Sequence, residues 1–143
     1  MTEKLTRDMI AAAAVLTEKP GSFWTDQLNN TDQLGASHRM AEEIWTQTGG
    51  KINGFVQWVG TAGSIRGVAE TLRRHNQQVR IVAVEPSESA VLSGGPTGAH
   101  KIDGIGAGFI VPLWLARNQP GGFEPLLVVT TARIVVCDGS TLP

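Results

Sequence analysis

Apolar residues recur along the chain at two periods, and each period marks a different kind of element. Leu5, Met9, Ala12, Ala13 and Leu16 fall at three- and four-residue spacing, which gathers them on one face of a helix over residues 5–17. Thr2 offers an N-cap hydroxyl, and Pro20 with Gly21 stops the run. Phe23 and Trp24 suit a short extended piece, and Gln27, Leu28, Asn29 and Asn30 a polar loop. Met40, Ile44 and Trp45 form a second stripe, predicting a helix over 37–48 that ends at Gly49 and Gly50. Residues 52–59 read as a strand between Gly-rich turns. Ile65, Val68, Ala69 and Leu72 share one face of a third helix, over 64–75. Residues 79–84, apolar and rich in β-branched residues apart from Arg80, read as a strand buried on both faces, and Pro86 closes it.

Strand, short glycine loop, helix and strand in succession make a βαβ unit, expected to be parallel and right-handed. The fold class is therefore α/β. From Ser93 the texture changes. Gly94, Gly95, Gly98, Gly104, Gly106 and Gly108 crowd into a connection of the kind that is often functional. Beyond Trp114, residues 118–122 form a turn cluster, and the β-branched run 126–136 predicts a further strand. No internal repeat is visible.

The length of 143 residues suggests one domain. Charged residues make up 17%, below the usual share of about a quarter, which suits a surface partly covered by a partner. The net charge of −1 gives no electrostatic footprint for nucleic acid or an anionic membrane. Cys137 is the single cysteine, so an internal disulfide is excluded, and a buried, inert thiol is expected. The apolar run 9–16 is too short to span a bilayer and lacks a cleavage site, which points to the cytoplasm. His38, His75 and His100 are dispersed, and no metal site is expected of them.

The chemistry concentrates at Gly60, Thr61, Ala62, Gly63 and Ser64, at the carboxyl end of one strand and the start of a helix. Ligands bind at such ends of open α/β sheets. Free backbone N–H groups and the positive end of a helix dipole favour an anion there. Glycines at 60 and 63 allow close approach, and Thr61 and Ser64 add hydroxyl donors. A plainer reading stands beside this one: an ordinary turn in which Ser64 caps the helix. The loop has neither the Gly-x-Gly-x-x-Gly nor the Gly-Lys-Ser/Thr pattern, so a phosphate fits better than a nucleotide.

The loop and its neighbours resemble the cysteine synthases. Glu43-Ile44-Trp45, Val59-Gly60-Thr61-Ala62-Gly63-Ser64-Ile65, Ile81-Val82-Ala83-Val84-Glu85-Pro86, Val91-Leu92-Ser93-Gly94-Gly95 and His100-Lys101-Ile102-Asp103-Gly104-Ile105-Gly106-Ala107-Gly108-Phe109 occur in the order seen in that family. The resemblance covers residues 5–114. It implies a three-layer αβα arrangement with a mostly parallel sheet: part of the large domain of the tryptophan synthase β-like, fold type II enzymes that use pyridoxal 5′-phosphate (PLP). The family reaction is β-replacement, in which the acetyl group of O-acetylserine leaves and sulfide adds to give cysteine. By resemblance, Gly60, Thr61, Ala62, Gly63 and Ser64 grip the cofactor phosphate. Ala62 departs from the family's glycine, and is expected to need a negative φ with its methyl turned away from the phosphate. Gln27 maps to the substrate side, near a substrate carboxylate, or is a loop amide bonded to local backbone. Gly106 is expected nearest the active site. The partners implied are a small amino-acid substrate and a second copy in a homodimer.

The family's Schiff-base lysine sits in a Ser-x-Lys-x-Arg context upstream of the phosphate loop. Lys4, Lys19, Lys51 and Lys101 all lack that context. Residues 116–143 do not resemble the family's continuation, and Asp138-Gly139-Ser140 is no substitute for its Gly-x-Ser-Ser-Gly motif. The chain accordingly divides into a partial enzyme domain at 1–114 and a divergent tail at 115–143. Three functions are compatible: a catalytically incomplete cysteine synthase-like or cystathionine β-synthase-like chain, a non-catalytic phosphate-binding or self-associating module, and a nucleotide-binding domain.

Overall fold

Thr2 is extended (φ −131°), and its hydroxyl accepts from the Leu5 N–H at 3.3 Å, which starts helix α1, Glu3–Thr17. The computed structural model describes residues 2–114 and the backbone of 124–128. In it α1 buries none of its residues; Leu5, Met9 and Leu16 on the apolar face are 49%, 57% and 54% exposed. The helix is held at its start, where the Arg7 guanidinium lies 4.5 Å from the centre of the Phe109 ring and Glu3 packs against Gly108.

Helix α2, Leu34–Gln47, begins three residues before the position its apolar stripe predicts. The Asn30 side chain accepts from the Asp32 N–H at 2.8 Å and caps a 3-10 turn, Thr31–Gln33, that runs directly into the helix. Strand β1 is Gly54–Trp58, helix α3 Gly63–His75 and strand β2 Arg80–Pro86. The pairing of β1 outlasts its regular span: Arg80 N–H donates to Asn53 O and Val59 N–H to Val84 O, both at 3.0 Å. Helices α2 and α3 approach closely across Gly67, where a Cβ would come 2.5 Å from Ser37 Cβ. Side-chain pairs staple them further. His38 Nε2 lies 2.9 Å from Glu70 Oε2, His75 Nε2 lies 2.7 Å from Glu42 Oε2, and the Trp45 and His75 rings stack at 4.6 Å. Burial pushes the Glu70 carboxyl up, but hydrogen bonds from Arg66 and His38 outweigh it and hold the group below its ordinary value.

Strand β3, Glu124–Val128, completes a parallel sheet of order β1-β2-β3, with Val56 opposite Val82 and Val84 opposite Leu126. It lies within the predicted tail. Residues 118–122 and 129–136, Cys137 and the segment 138–140 lie outside the described residues. The sheet and α3 share a core of Val59, Ile65, Val68, Leu72, Val79, Ile81 and Ala83, each at most 2% exposed. Burying a side chain of valine or leucine size stabilises by about 1.5–3 kcal/mol. Strand side chains alternate between faces, and Phe55 packs on this core. Val56 and Trp58 point the other way and are 60% and 42% exposed. The fold is thus α/β with a parallel sheet, and the described residues supply one of its helical layers.

No regular element follows the 3-10 turn Val91–Ser93 until β3 among the described residues. The start of this glycine-rich connection is fastened to β2 by Glu85, whose side chain is 2% exposed. Its carboxylate accepts from Leu92 N–H at 2.8 Å, Ser93 N–H at 2.8 Å and Ser93 Oγ at 2.5 Å.

Candidate cofactor site

At the end of β1 the chain turns sharply into α3, and the turn is made at Ala62, with φ 67° and ψ −3°. The expectation of a negative φ is therefore overturned. A left-handed residue is what redirects this strand into the helix, at a cost for a side chain of about 1–2 kcal/mol. The methyl is 3% exposed and packs within the core. Ser64 does not cap the helix; it is exposed within the first turn. Thr61 serves there instead, its Oγ1 accepting from Gly63 N–H at 3.2 Å. The first intrahelical bond runs from Arg66 N–H to Ala62 O at 3.0 Å. The amides of Ser64 and Ile65 precede it and have no helical acceptor. They sit at the positive end of the α3 dipole.

Protein neighbours crowd both loop glycines, backbone at Gly60 and a side chain at Gly63. A Cβ at Gly60 would lie 2.7 Å from Gly104 O. A Cβ at Gly63 would collide with Gln33 Oε1 and come within 2.6 Å of Gln33 Cδ. Gln33 accepts from Thr61 Oγ1 at 3.2 Å. Nothing in the apolar pattern singles this residue out; only its place just ahead of α2, beside the Gln27–Asn30 motif, offers a signal.

A cavity of about 490 Å³ opens beside the loop. One wall is α1, through Thr6, Met9, Ile10 and Ala13. Trp24, Asp26, Gln27 and Leu28 form a second wall, Gly60 and Thr61 a third, and Gly104, Ile105 and Ala107 the last. The volume lies within the range of about 300–1,000 Å³ typical of small-molecule sites. Gln27, Gly60 and Thr61 are thus brought together, while Ala62, Gly63 and Ser64 stand outside the wall. Gly106 is also outside it. Its N–H donates to Val59 O at 3.1 Å, its carbonyl lies 2.9 Å from His100 Nε2, and a side chain there would strike His100 and Pro86. It ties the glycine-rich segment to the sheet from behind, and its neighbours face the cavity. The α1 wall went unrecognised because a stripe at helical spacing reads as core. Lys4, Lys19, Lys51 and Lys101 are all absent from the wall. Among the described residues no three His, Cys, Asp or Glu side chains gather as a metal site, and no helix is long and apolar enough to cross a membrane.

The sequence profile of the pyridoxal-phosphate dependent enzymes matches residues 2–135. The chain belongs to this family. Among its PLP-enzyme relatives, Cysteine synthase 3 of Caenorhabditis elegans is 42% identical over 128 residues, 88% of this chain and 35% of that protein. Cysteine synthase B of Campylobacter jejuni is 41% identical over 100 residues, covering 69% of this chain and 33% of the relative. The crystal structure of Cysteine Synthase from Entamoeba histolytica superposes with a TM-score of 0.74 at 38% identity, over 85% of this chain and 36% of that one. This PLP-family chain therefore spans about a third of the length of the relatives it matches.

Proposed function

We propose that the 60–64 loop holds the phosphate of pyridoxal 5′-phosphate, in a cysteine synthase-like chain whose family reaction replaces the acetyl group of O-acetylserine with sulfide to give L-cysteine. The observation that carries this reading is a ligand-sized cavity walled by Gly60 and Thr61, the two residues that lead into the N-terminus of α3. The residues present fit a phosphate. The Ser64 and Ile65 amides and the Ser64 hydroxyl are neutral donors, and the α3 dipole adds a positive field. When bound, PLP supplies an electron sink for the Cα of an amino acid. Gln27, in the cavity wall, presents an amide for the substrate carboxylate.

The same reading makes the hold non-covalent and the chain by itself catalytically incomplete, because no lysine lines the cavity. It includes a small amino-acid substrate, a homodimer and a cytoplasmic setting, all taken from the family. A cystathionine β-synthase-like chain would use the same loop. A second reading, a phosphate-binding and self-associating module, is favoured by the exposure of Val56 and Trp58 on the open sheet face.

The test is a titration of the full chain with pyridoxal 5′-phosphate, pyridoxal and inorganic phosphate. Binding of the phosphorylated cofactor, competed by inorganic phosphate, is expected. Borohydride treatment should attach no cofactor mass to Lys4, Lys19, Lys51 or Lys101. A covalently labelled lysine would overturn the non-covalent assignment, and no phosphate-dependent binding would overturn the loop assignment. Light scattering that reports a dimer supports the homodimer.

A further inference from the structure

The geometry points to Gln33 as a positioning residue that locks the phosphate-side loop and the Gln27-bearing turn into one unit. This rests on the reading that the 60–64 loop holds a phosphate. Gln33 is half-buried at the junction of the 3-10 turn and α2. Its Nε2 donates to Gln27 O at 2.5 Å and to Asn30 O at 2.7 Å. Two carbonyls can be satisfied only by an NH₂ group, so the amide has one possible orientation. Its Oε1 then faces Thr61 and must accept, which makes the Thr61 hydroxyl the donor at 3.2 Å. The oxygen lone pairs of Thr61 are left for Gly63 N–H. One side chain thereby fixes a hydroxyl rotor on the phosphate side and two carbonyls on the substrate side.

The steric arrangement says the same. Gln33 crosses directly over Gly63, where a Cβ would come within 2.6 Å of its Cδ and 3.0 Å of its Cγ. The obstacle is the end of a flexible side chain, so alanine at 63 can be accommodated, but only by expelling Gln33 from its three bonds. The absence of a side chain at 63 is what lets the two loops be joined.

Losing this tie leaves the Thr61 side of the 60–64 loop to be ordered when a phosphate binds. Three bonds of ordinary net worth, partly replaced by water, imply a loss of about five- to tenfold in affinity for pyridoxal 5′-phosphate. The experiment uses the full chain and Gln33→Leu, which keeps bulk and removes the bonds. Pyridoxal 5′-phosphate should bind about five- to tenfold more weakly, with affinity for pyridoxal, which lacks the phosphate, unchanged. A purely structural role would lower both together and would overturn the assignment. Hydrogen exchange of the ligand-free protein gives an independent reading: the Gly63 and Asn30 amides should both accelerate in Gln33→Leu. Acceleration on one side only overturns the coupling. If the unaltered chain binds neither pyridoxal 5′-phosphate nor inorganic phosphate, the phosphate reading falls, and exchange alone decides whether Gln33 ties the loops. A double-mutant cycle closes the argument. Gly63→Ala should weaken binding, or accelerate the same amides, in the Gln33 background and much less in the Gln33→Ala background. Additive effects would refute the interlock.

Discussion

Replacing Glu85 by glutamine changes almost nothing in shape and reverses the polarity of one end of the side chain. In the native protein both carboxylate oxygens are acceptors: Oε1 takes Ser93 N–H and Ser93 Oγ, and Oε2 takes Leu92 N–H. A glutamine can turn its one oxygen toward Ser93 and keep two bonds there, now without charge. Its NH₂ then faces the Leu92 N–H, donor against donor, at a position only 2% exposed to water. A hydrogen bond to a charged group contributes about 1.5–3 kcal/mol, and a buried donor without a partner costs about 1–3 kcal/mol. Glu85→Gln should therefore destabilise the protein by about 2–4 kcal/mol, the lost bond and orphaned donor being partly offset by relaxation. Ser93→Ala removes one bond of three, leaves no donor stranded, and should cost about 1 kcal/mol. Urea unfolding is the assay, read as a lowered midpoint at unchanged slope. Two results would refute the reasoning: a Glu85→Gln protein within about 0.5 kcal/mol of the parent, or a Ser93→Ala protein as damaged as Glu85→Gln.

Ala62→Gly relieves a left-handed strain of about 1–2 kcal/mol, but loses a buried methyl worth about 0.8 kcal/mol and adds unfolded-state freedom of about 0.4–1 kcal/mol. Its unfolding free energy in urea should change by less than about 1 kcal/mol, whereas Ala62→Val, branched and buried at the same φ, should lose more than about 2 kcal/mol. Gly67→Ala should cost about 1–3 kcal/mol in the same assay, because the new methyl meets Ser37 Cβ at 2.5 Å and Leu34 O at 3.1 Å. Glu70, held below its ordinary value, gives stability that is present above the unfolded glutamate range of about 4.3 and is lost as pH falls through the folded value. The group is 32% exposed, so the amount should stay under about 1 kcal/mol. Acid titration of Glu70→Gln should show that part of the pH dependence flattened.

The strand-loop-helix-strand unit was legible because each element announces itself locally. Ile65, Val68, Ala69 and Leu72 can share a face only in a helix, and the run 79–84 suits a strand buried on both faces. Glycine positions were legible as well, but their reasons were not. Gly60 and Gly63 look like anion-loop glycines, and the neighbours that crowd them, Gly104 O and the Gln33 side chain, lie 44 and 30 residues away in sequence. The start of α2 was missed because the Asn30 cap acts through a 3-10 turn that carries no apolar stripe. Ala62 was misjudged because its left-handed φ is dictated by the joint path of β1 and α3, which no single residue encodes. The cavity's α1 wall was hidden in plain periodicity: Met9 and Ala13 have the spacing of core residues and line an opening instead.

The position of the cavity within the chain order sets a schedule for its assembly. The unit from Gly54 to Pro86 is contiguous, so its contacts close over short chain distances and form with little loop-closure cost. A ribosome releasing this chain delivers α1, the Gln33 clasp and the 60–64 loop before residues 104–107 have been made. Three walls of the site are therefore available early in synthesis and the fourth arrives late, drawn in by Gly106 N–H reaching Val59 O and the Glu85 carboxylate waiting for Leu92 and Ser93.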